Sequence, residues 1–400
     1  MNAVAVTGLS VAAPNGLGTD NFWEATKNGV SGIGPVTRFD ATPYPARLAG
    51  EVPGFVAADH LASRLLPQTD HMTRIALVTA DWALDDAGVK PGDIDEFDMG
   101  VVTASSAGGY EFGQNELQAL WSKGSQYVSA YQSFAWFYAV NSGQISIRHG
   151  MRGPSGVVVS DQAGGLDAIA HARRQIRKGS KLILSGGVDA SICPWGWAAQ
   201  LAGGRLSTVN DATTAFLPFD AAAGGHVSGE GGALLVLEDA QEAGRRGSHV
   251  YGEIAGYGST FDLRTESGGS SGLERAVRVA LADARVGADA VDVVFADAAA
   301  VPELDRAEAQ AIGAVFGARG VPVTAPKTMT GRLNSGGAPL DVVAALLSIR
   351  DGVIPPTVNV TAAPELELDL VTQARAVPVR TALVLARGQG GFNSALVVRG

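Results

Sequence analysis

The chain has 400 residues, with 30 Lys and Arg against 40 Asp and Glu, a formal charge of −10, and it is 46% hydrophobic. That length can bury a large core. The acidic balance argues against nucleic acid as a partner, which needs concentrated positive charge, and apolar runs such as Gly232–Leu237 are far too short for a membrane span. One cysteine, Cys193, permits no internal disulfide and makes this thiol the first candidate nucleophile. With no cysteine cluster and no metal-like histidine spacing, no metal is expected. The opening residues Met1 to Gly8 lack a basic-then-apolar leader, so a cytoplasmic location is expected.

Val- and Ile-rich runs at 4–7, 99–103, 155–160, 182–185 and 233–237 alternate with helical stretches. This pattern predicts an α/β fold with a mostly parallel, helix-covered sheet. Beyond Glu238 come Arg245-Arg246-Gly247-Ser248, a short strand, and the polar stretch Thr265 to Gly272, which reads as a linker. Gly268-Gly-Ser-Ser-Gly272 matches Gly-x-Ser-x-Gly in form, but its polar surroundings favour a loop. A second series follows, with a helix at 273–284, a strand at 291–296, a helix at 307–316 and a hairpin at 381–386 and 394–398. The division falls at 1–248 and 249–400. A faint echo links the two parts: Gly164-Gly165-Leu166-Asp167 and Gly336-Gly337-Ala338-Pro339-Leu340-Asp341 each open a helix ending in Ile-Arg and a glycine, which suggests duplication.

The run 155–160, the turn Asp161-Gln162-Ala163 and the helix from Gly164 form a strand, an elbow and a helix. Such an elbow presents its central side chain at a helix N-terminus, where amides and the dipole favour negative charge and activate a nucleophile. Its occupant is Gln162, whose amide only donates or accepts hydrogen bonds.

With these residues, and with Val6-Thr-Gly8, Ala13-Pro-Asn-Gly16, Phe134-Ala-Trp-Phe-Tyr138, Asp161 to Asp167, Leu217-Pro-Phe-Asp220, Gly229-Glu-Gly-Gly232 and Gly391-Phe-Asn-Ser394, the chain resembles the β-ketoacyl synthases of the thiolase superfamily. Within them it resembles the chain length factors, or ketosynthase beta subunits, of bacterial aromatic type II polyketide synthases. The resemblance implies a thiolase-like, five-layered αβαβα fold built from two similar halves. Active members carry Cys at the elbow and a His in each of two later segments. Matched by position, this chain has Gln162, Asp297 and Arg332, while Lys327 keeps the family's lysine and Gln389 replaces a loop Phe. Cys193 then reads as an ordinary buried thiol. Condensation needs a thiolate and imidazoles, which these residues do not supply. If Asp297 and Arg332 converge, they are expected to pair and plug the former site.

The resemblance also implies a tunnel for the growing poly-β-keto chain, lined by Tyr110, Gly113, Leu117 and Trp195. The three helical positions share one face, and because family members making shorter chains tend to carry bulkier groups at the latter two, Gly113 and Leu117 suggest a longer product. Phe134, Trp136, Phe137 and Tyr138 fall where the family forms a heterodimer, although an aromatic-rich stretch is equally consistent with plain core. The expected partners are a catalytic ketosynthase alpha subunit and an acyl carrier protein, which carries the phosphopantetheine arm, so no cofactor of the chain's own is expected. The alternative is a malonyl-carrier-protein decarboxylase that primes the synthase, as in loading ketosynthases with Gln at this position, although those keep both histidines. A third reading is a catalytically dead structural homologue with no tunnel.

Overall fold

The computed structural model describes residues 3–262 and 271–400. The Gly-x-Ser-x-Gly match and the polar stretch from Thr265 fall largely outside the described residues; Ser271 caps the helix that follows, accepting from the Glu274 amide. The first half runs β1 (Val4–Ala13), α1 (His71–Asp86), β2 (Met99–Ala104), α2 (Tyr110–Lys123), β3 (Ser155–Val158), α3 (Ala163–Arg177), β4 (Leu182–Asp189), α4 (Pro194–Ala202) and β5 (Gly231–Asp239). The second runs β6 (Gly252–Phe261), α5 (Gly272–Ala284), β7 (Val293–Phe295), α6 (Pro302–Phe316), β8 (Pro322–Thr324), α7 (Gly337–Asp351), β9 (Thr381–Gly388) and β10 (Phe392–Arg399).

Among the described residues these strands form one continuous ladder: Asp369–Leu370, β8, β7, β9, β10, β6, β1, β5, β4, β2 and β3, with Gly16–Leu17 on the side of β1. Read outward from the centre, the first half follows β1, β5, β4, β2, β3 and the second β6, β10, β9, β7, β8. Each makes two antiparallel pairings and then two parallel ones. The echo between the helix-opening glycines is thus a duplication of topology, since α3 and α7 each follow the third strand of their half.

The sheet is mixed rather than mostly parallel. Strands that open and close each half lie side by side at its centre, and β9 and β10 are joined by a tight hairpin, which imposes antiparallel pairing. The segment expected to hold a short strand contains the ten residues of β6, which joins β10 to β1. The run expected to extend to Ser160 leaves the ladder at Val158, where the chain turns into the elbow.

Helices α3 and α7 bury Leu166, Ile169, Val342 and Leu346 in one core with strand residues of both halves, such as Ile183, Leu235, Val384 and Leu396. Helix α1 covers the outer face of the first half through Ile75 and Leu77. Helices α5 and α6 cover that of the second through Val277 and Ile312. The layers alternate α, β, α, β, α. The two central helices approach so closely that a Cβ on Gly165 would lie 2.3 Å from Cδ of Pro339. Among the described residues no helix is long and apolar enough to cross a membrane.

Candidate functional site

The elbow follows from the end of β3. Ser160 Oγ donates to Asp167 Oδ2 at 2.8 Å, Asp161 takes a left-handed conformation with φ +52°, and Gln162 sits fully buried at the N-terminus of α3. Asp297 arrives from the C-terminal end of β7, in a turn where Ala298 and Ala300 also have positive φ, 51° and 54°. Such a backbone costs energy for alanine and persists only when neighbours hold it. The carboxylate of Glu308 does so, accepting from the amides of Asp297 at 2.7 Å and Ala298 at 2.9 Å.

Arg332 closes the site. Its Nη2 donates to Oδ1 and Oδ2 of Asp297 at 3.0 and 3.1 Å and to the Arg387 carbonyl at 3.0 Å, and its Nη1 donates to the Asp297 carbonyl at 3.1 Å. Asp297 Oδ1 also accepts from Gln162 Nε2 at 3.1 Å and from the Arg387 amide at 2.9 Å. The three residues at the reactive positions therefore meet, and the expected pair forms. Burial works against the charge on Asp297, but Arg332, Lys327 and the Arg387 amide outweigh it and hold the carboxyl below the usual range. Burial likewise opposes the Arg332 charge, yet Asp297 and Asp161 hold its pKa above the ordinary value. Both groups are ionised. Lys327 pairs with Asp341 at 2.7 Å and donates to the Ala296 carbonyl.

Chemically, the Asp297 carboxylate is fully engaged, while Gln162 Oε1 is buried without a hydrogen-bond partner. An amide at the elbow cannot attack a thioester, and a carboxylate with lowered pKa that already accepts four side-chain and backbone hydrogen bonds is a poor base. His226 lines the same cavity as the pair. Burial, followed by Arg332, pushes its pKa down to about 3, so the ring is neutral. A cavity of about 380 Å³ lies over the pair, lined by Tyr110, Asp161, Gln200, His226, Arg332 and Gln389 among others. The Gln389 amide donates to Asp161 Oδ2 at 3.1 Å.

Cys193 is buried at the N-cap of α4, where its Sγ accepts from the Gly196 amide at 3.5 Å. Burial pushes the thiol up to about 11, which leaves it protonated and unreactive at neutral pH. Of the four residues expected to line a tunnel, three come together. Tyr110 and Trp195 pack edge-to-face with ring centroids 5.1 Å apart, and a Cβ on Gly113 would lie 2.9 Å from Cζ3 of Trp195. Leu117, one turn further along α2, is 38% exposed. The cavity over the pair reaches Tyr110 but not the other three. In the aromatic stretch, Phe134 packs against the core around α1, whereas Trp136, Phe137 and Tyr138 are each about two-fifths exposed, at 45%, 38% and 41%.

Glu308, His226 and the Arg387 amide complete the site without a sequence motif of their own.

The descriptions "Beta-ketoacyl synthase, N-terminal domain" and "Beta-ketoacyl synthase, C-terminal domain" match residues 1–243 and 251–361. The chain belongs to the β-ketoacyl synthase family. Within the family it is 62% identical over 400 residues to the tetracenomycin polyketide synthase ketoacyl synthase beta subunit of Streptomyces glaucescens, covering 99% of this chain and 98% of the relative. It is 33% identical to 3-oxoacyl-(acyl-carrier-protein) synthase 2 of Staphylococcus aureus, covering 99% and 98%. Among solved structures of the family, the ishigamide ketosynthase/chain length factor superposes with a TM-score of 0.91 at 26% identity, covering 100% of this chain and 99% of that one. A type II polyketide synthase acyl-carrier protein in complex with its ketosynthase bound to the hexaketide gives 0.89 at 28% identity, with 100% and 99% covered.

Proposed function

We propose that this chain is a chain length factor: it pairs with a catalytic ketosynthase subunit, contributes no nucleophile, and limits how far an aromatic polyketide chain grows, toward the longer end. The observation that carries this reading is the closed constellation of Gln162, Asp297 and Arg332, in which all three reactive positions of the family are spent on one another. The names of the relatives, a ketosynthase beta subunit and a ketosynthase/chain length factor, support it.

Two surface features support pairing with another subunit. Among the described residues, strand β3 ends the ladder with one side unpaired, and Val159 beside it is 48% exposed. Trp136, Phe137 and Tyr138 are the exposed aromatics that interface centres favour. The acyl carrier protein, with its phosphopantetheine arm, would bring malonyl units to the catalytic subunit, as the complex of such a carrier with its ketosynthase suggests.

Length control rests on the seam of Tyr110, Gly113 and Trp195. Because a Cβ at Gly113 already meets the Trp195 ring at 2.9 Å, Gly113→Phe must drive one ring into the adjoining space. In the synthase reconstituted with its catalytic subunit, mass spectrometry should then find a product shorter by at least one ketide unit. An unchanged length counts against the tunnel. Efficient release of carbon dioxide from malonyl-carrier protein by the isolated chain would favour the decarboxylase reading instead.

A further inference from the structure

Helix α2 carries Tyr110, Gly113 and Leu117, so any ruler made of them is only as sharp as the position of that helix. Its N-terminus has no side-chain cap of its own. The group that serves it comes from 42 residues earlier: Asp70 Oδ2 accepts from the Phe112 amide at 2.8 Å. The other oxygen, Oδ1, accepts from the Met72 amide at 2.8 Å and caps α1. One carboxylate, 2% exposed, thereby ties the starts of two helices together, with its charge placed at the positive end of both dipoles.

The surroundings are built to permit this contact. A Cβ on Gly109 would fall 2.8 Å from Cβ and 3.0 Å from Cγ of Asp70, and 2.4 Å from the Ala135 carbonyl. The Gly109 amide donates to the Trp136 carbonyl at 3.1 Å. Glycine at this position is what lets the carboxylate, the aromatic stretch and the start of α2 close on one another. In the same first turn, Glu111 is held by Arg38 Nη2 at 2.6 Å, but Glu111 is exposed enough for solvent to weaken that pair. The Asp70 link is the buried one.

We propose that Asp70 is a positioning residue for chain-length control: by joining the N-termini of α1 and α2 through a single buried carboxylate, it fixes the register of the helix that measures the product. This rests on the tunnel reading above. Loss of the link should blur the ruler, giving a spread of lengths, whereas bulk added at Gly113 should shift it.

Asp70→Asn isolates the link. Asn caps a helix about as well as Asp, so α1 keeps its cap, while the amide NH₂ now faces the Phe112 N–H. Gly109→Ala breaks the same contact from the other side. Ile75→Val removes one buried methyl from α1 without touching the link and serves as the stability control. In the reconstituted complex, Asp70→Asn and Gly109→Ala are expected to broaden the product into lengths on both sides of the main one, while Ile75→Val keeps the parent distribution. If Gly113→Phe shortens the product but both link variants stay sharp, the proposal is overturned and the tunnel stands. Equal broadening by Ile75→Val also overturns it, and an unresponsive Gly113→Phe removes the tunnel and the proposal together. Should the link variants fail to assemble, hydrogen exchange on the unmodified full chain decides. The amides of 110–113 should exchange as slowly as those of 72–75, and exchange about tenfold or more faster would overturn the link.

Discussion

Arg332 and Asp297 show what happens when reactive positions are refilled by opposite charges in a dry place. A guanidinium 8% exposed faces a carboxylate 1% exposed, and removing one partner from such a pair leaves an uncompensated buried charge. Arg332→Met is therefore expected to destabilise the chain by about 3–5 kcal/mol, measured by chemical denaturation. Combining it with Asp297→Asn should lie closer to the parent, because Asn still accepts from Gln162 and the Arg387 amide without carrying charge. A single variant as stable as the parent would show that the pair is not buried as described. His226 gives the site a pH response. Its folded pKa, about 3, lies below the ordinary value of 6.5, so between these values the unfolded chain binds the extra proton. Stability from this group is present above pH 6.5 and is lost as pH falls toward 3, at about 1.4 kcal/mol per pH unit. Glu308 and Asp305, pushed by burial up to about 7 and 6, act in the opposite direction, their stability being lost as pH rises through those values. The difference between parent and His226→Gln across pH 4–7 isolates the histidine, and parallel curves would refute its neutral burial.

At the scale of elements, the packing of α3 on α7 decides how firmly the elbow is held. Gly165 faces Pro339 Cδ at 2.3 Å and the Ser335 carbonyl at 2.7 Å from its would-be Cβ. Gly165→Ala must push the central helices apart, an overpacking cost of about 1–3 kcal/mol. Gly313, in α6, has nothing within 4 Å of its would-be Cβ, so Gly313→Ala should stabilise by about 0.4–1 kcal/mol through the unfolded chain. Thermal unfolding of the two variants should move in opposite directions. The strands and helices around these glycines were legible where a run was long and regular, as in the closing hairpin, α5, and the turn that holds Gln162. Gln162, Asp297 and Arg332 were legible because the resemblance to the β-ketoacyl synthases matches each to a reactive position of that family. The parts that escaped depend on convergence: the Asp70 carboxylate reaches an amide 42 residues away, and the Arg387 amide meets a carboxylate 90 residues before it. The direction of the central strands escaped for the same reason, since Val- and Ile-rich runs read alike in parallel and antiparallel pairs.

At the scale of the molecule, the duplicated halves bury their inner faces on α3 and α7, but among the described residues the ladder still ends on β3 with an open side. An unpaired edge bearing exposed Val159 invites pairing with another chain, and the exposed Trp136, Phe137 and Tyr138 add an apolar patch of the kind that marks interaction sites. A net charge of −10 keeps copies of this chain apart through mutual repulsion, so the edge better suits a different subunit than a second copy. Val159→Lys tests this. The side chain already stands half in water, so the substitution should change the stability of the isolated chain by no more than about 0.5 kcal/mol. In co-expression with the catalytic ketosynthase subunit, however, the introduced ammonium must be desolvated at the joined edge, and recovery of the heterodimer by size-exclusion chromatography should fall. Undiminished heterodimer with intact folding would move the interface away from β3, leaving the aromatic patch to carry it.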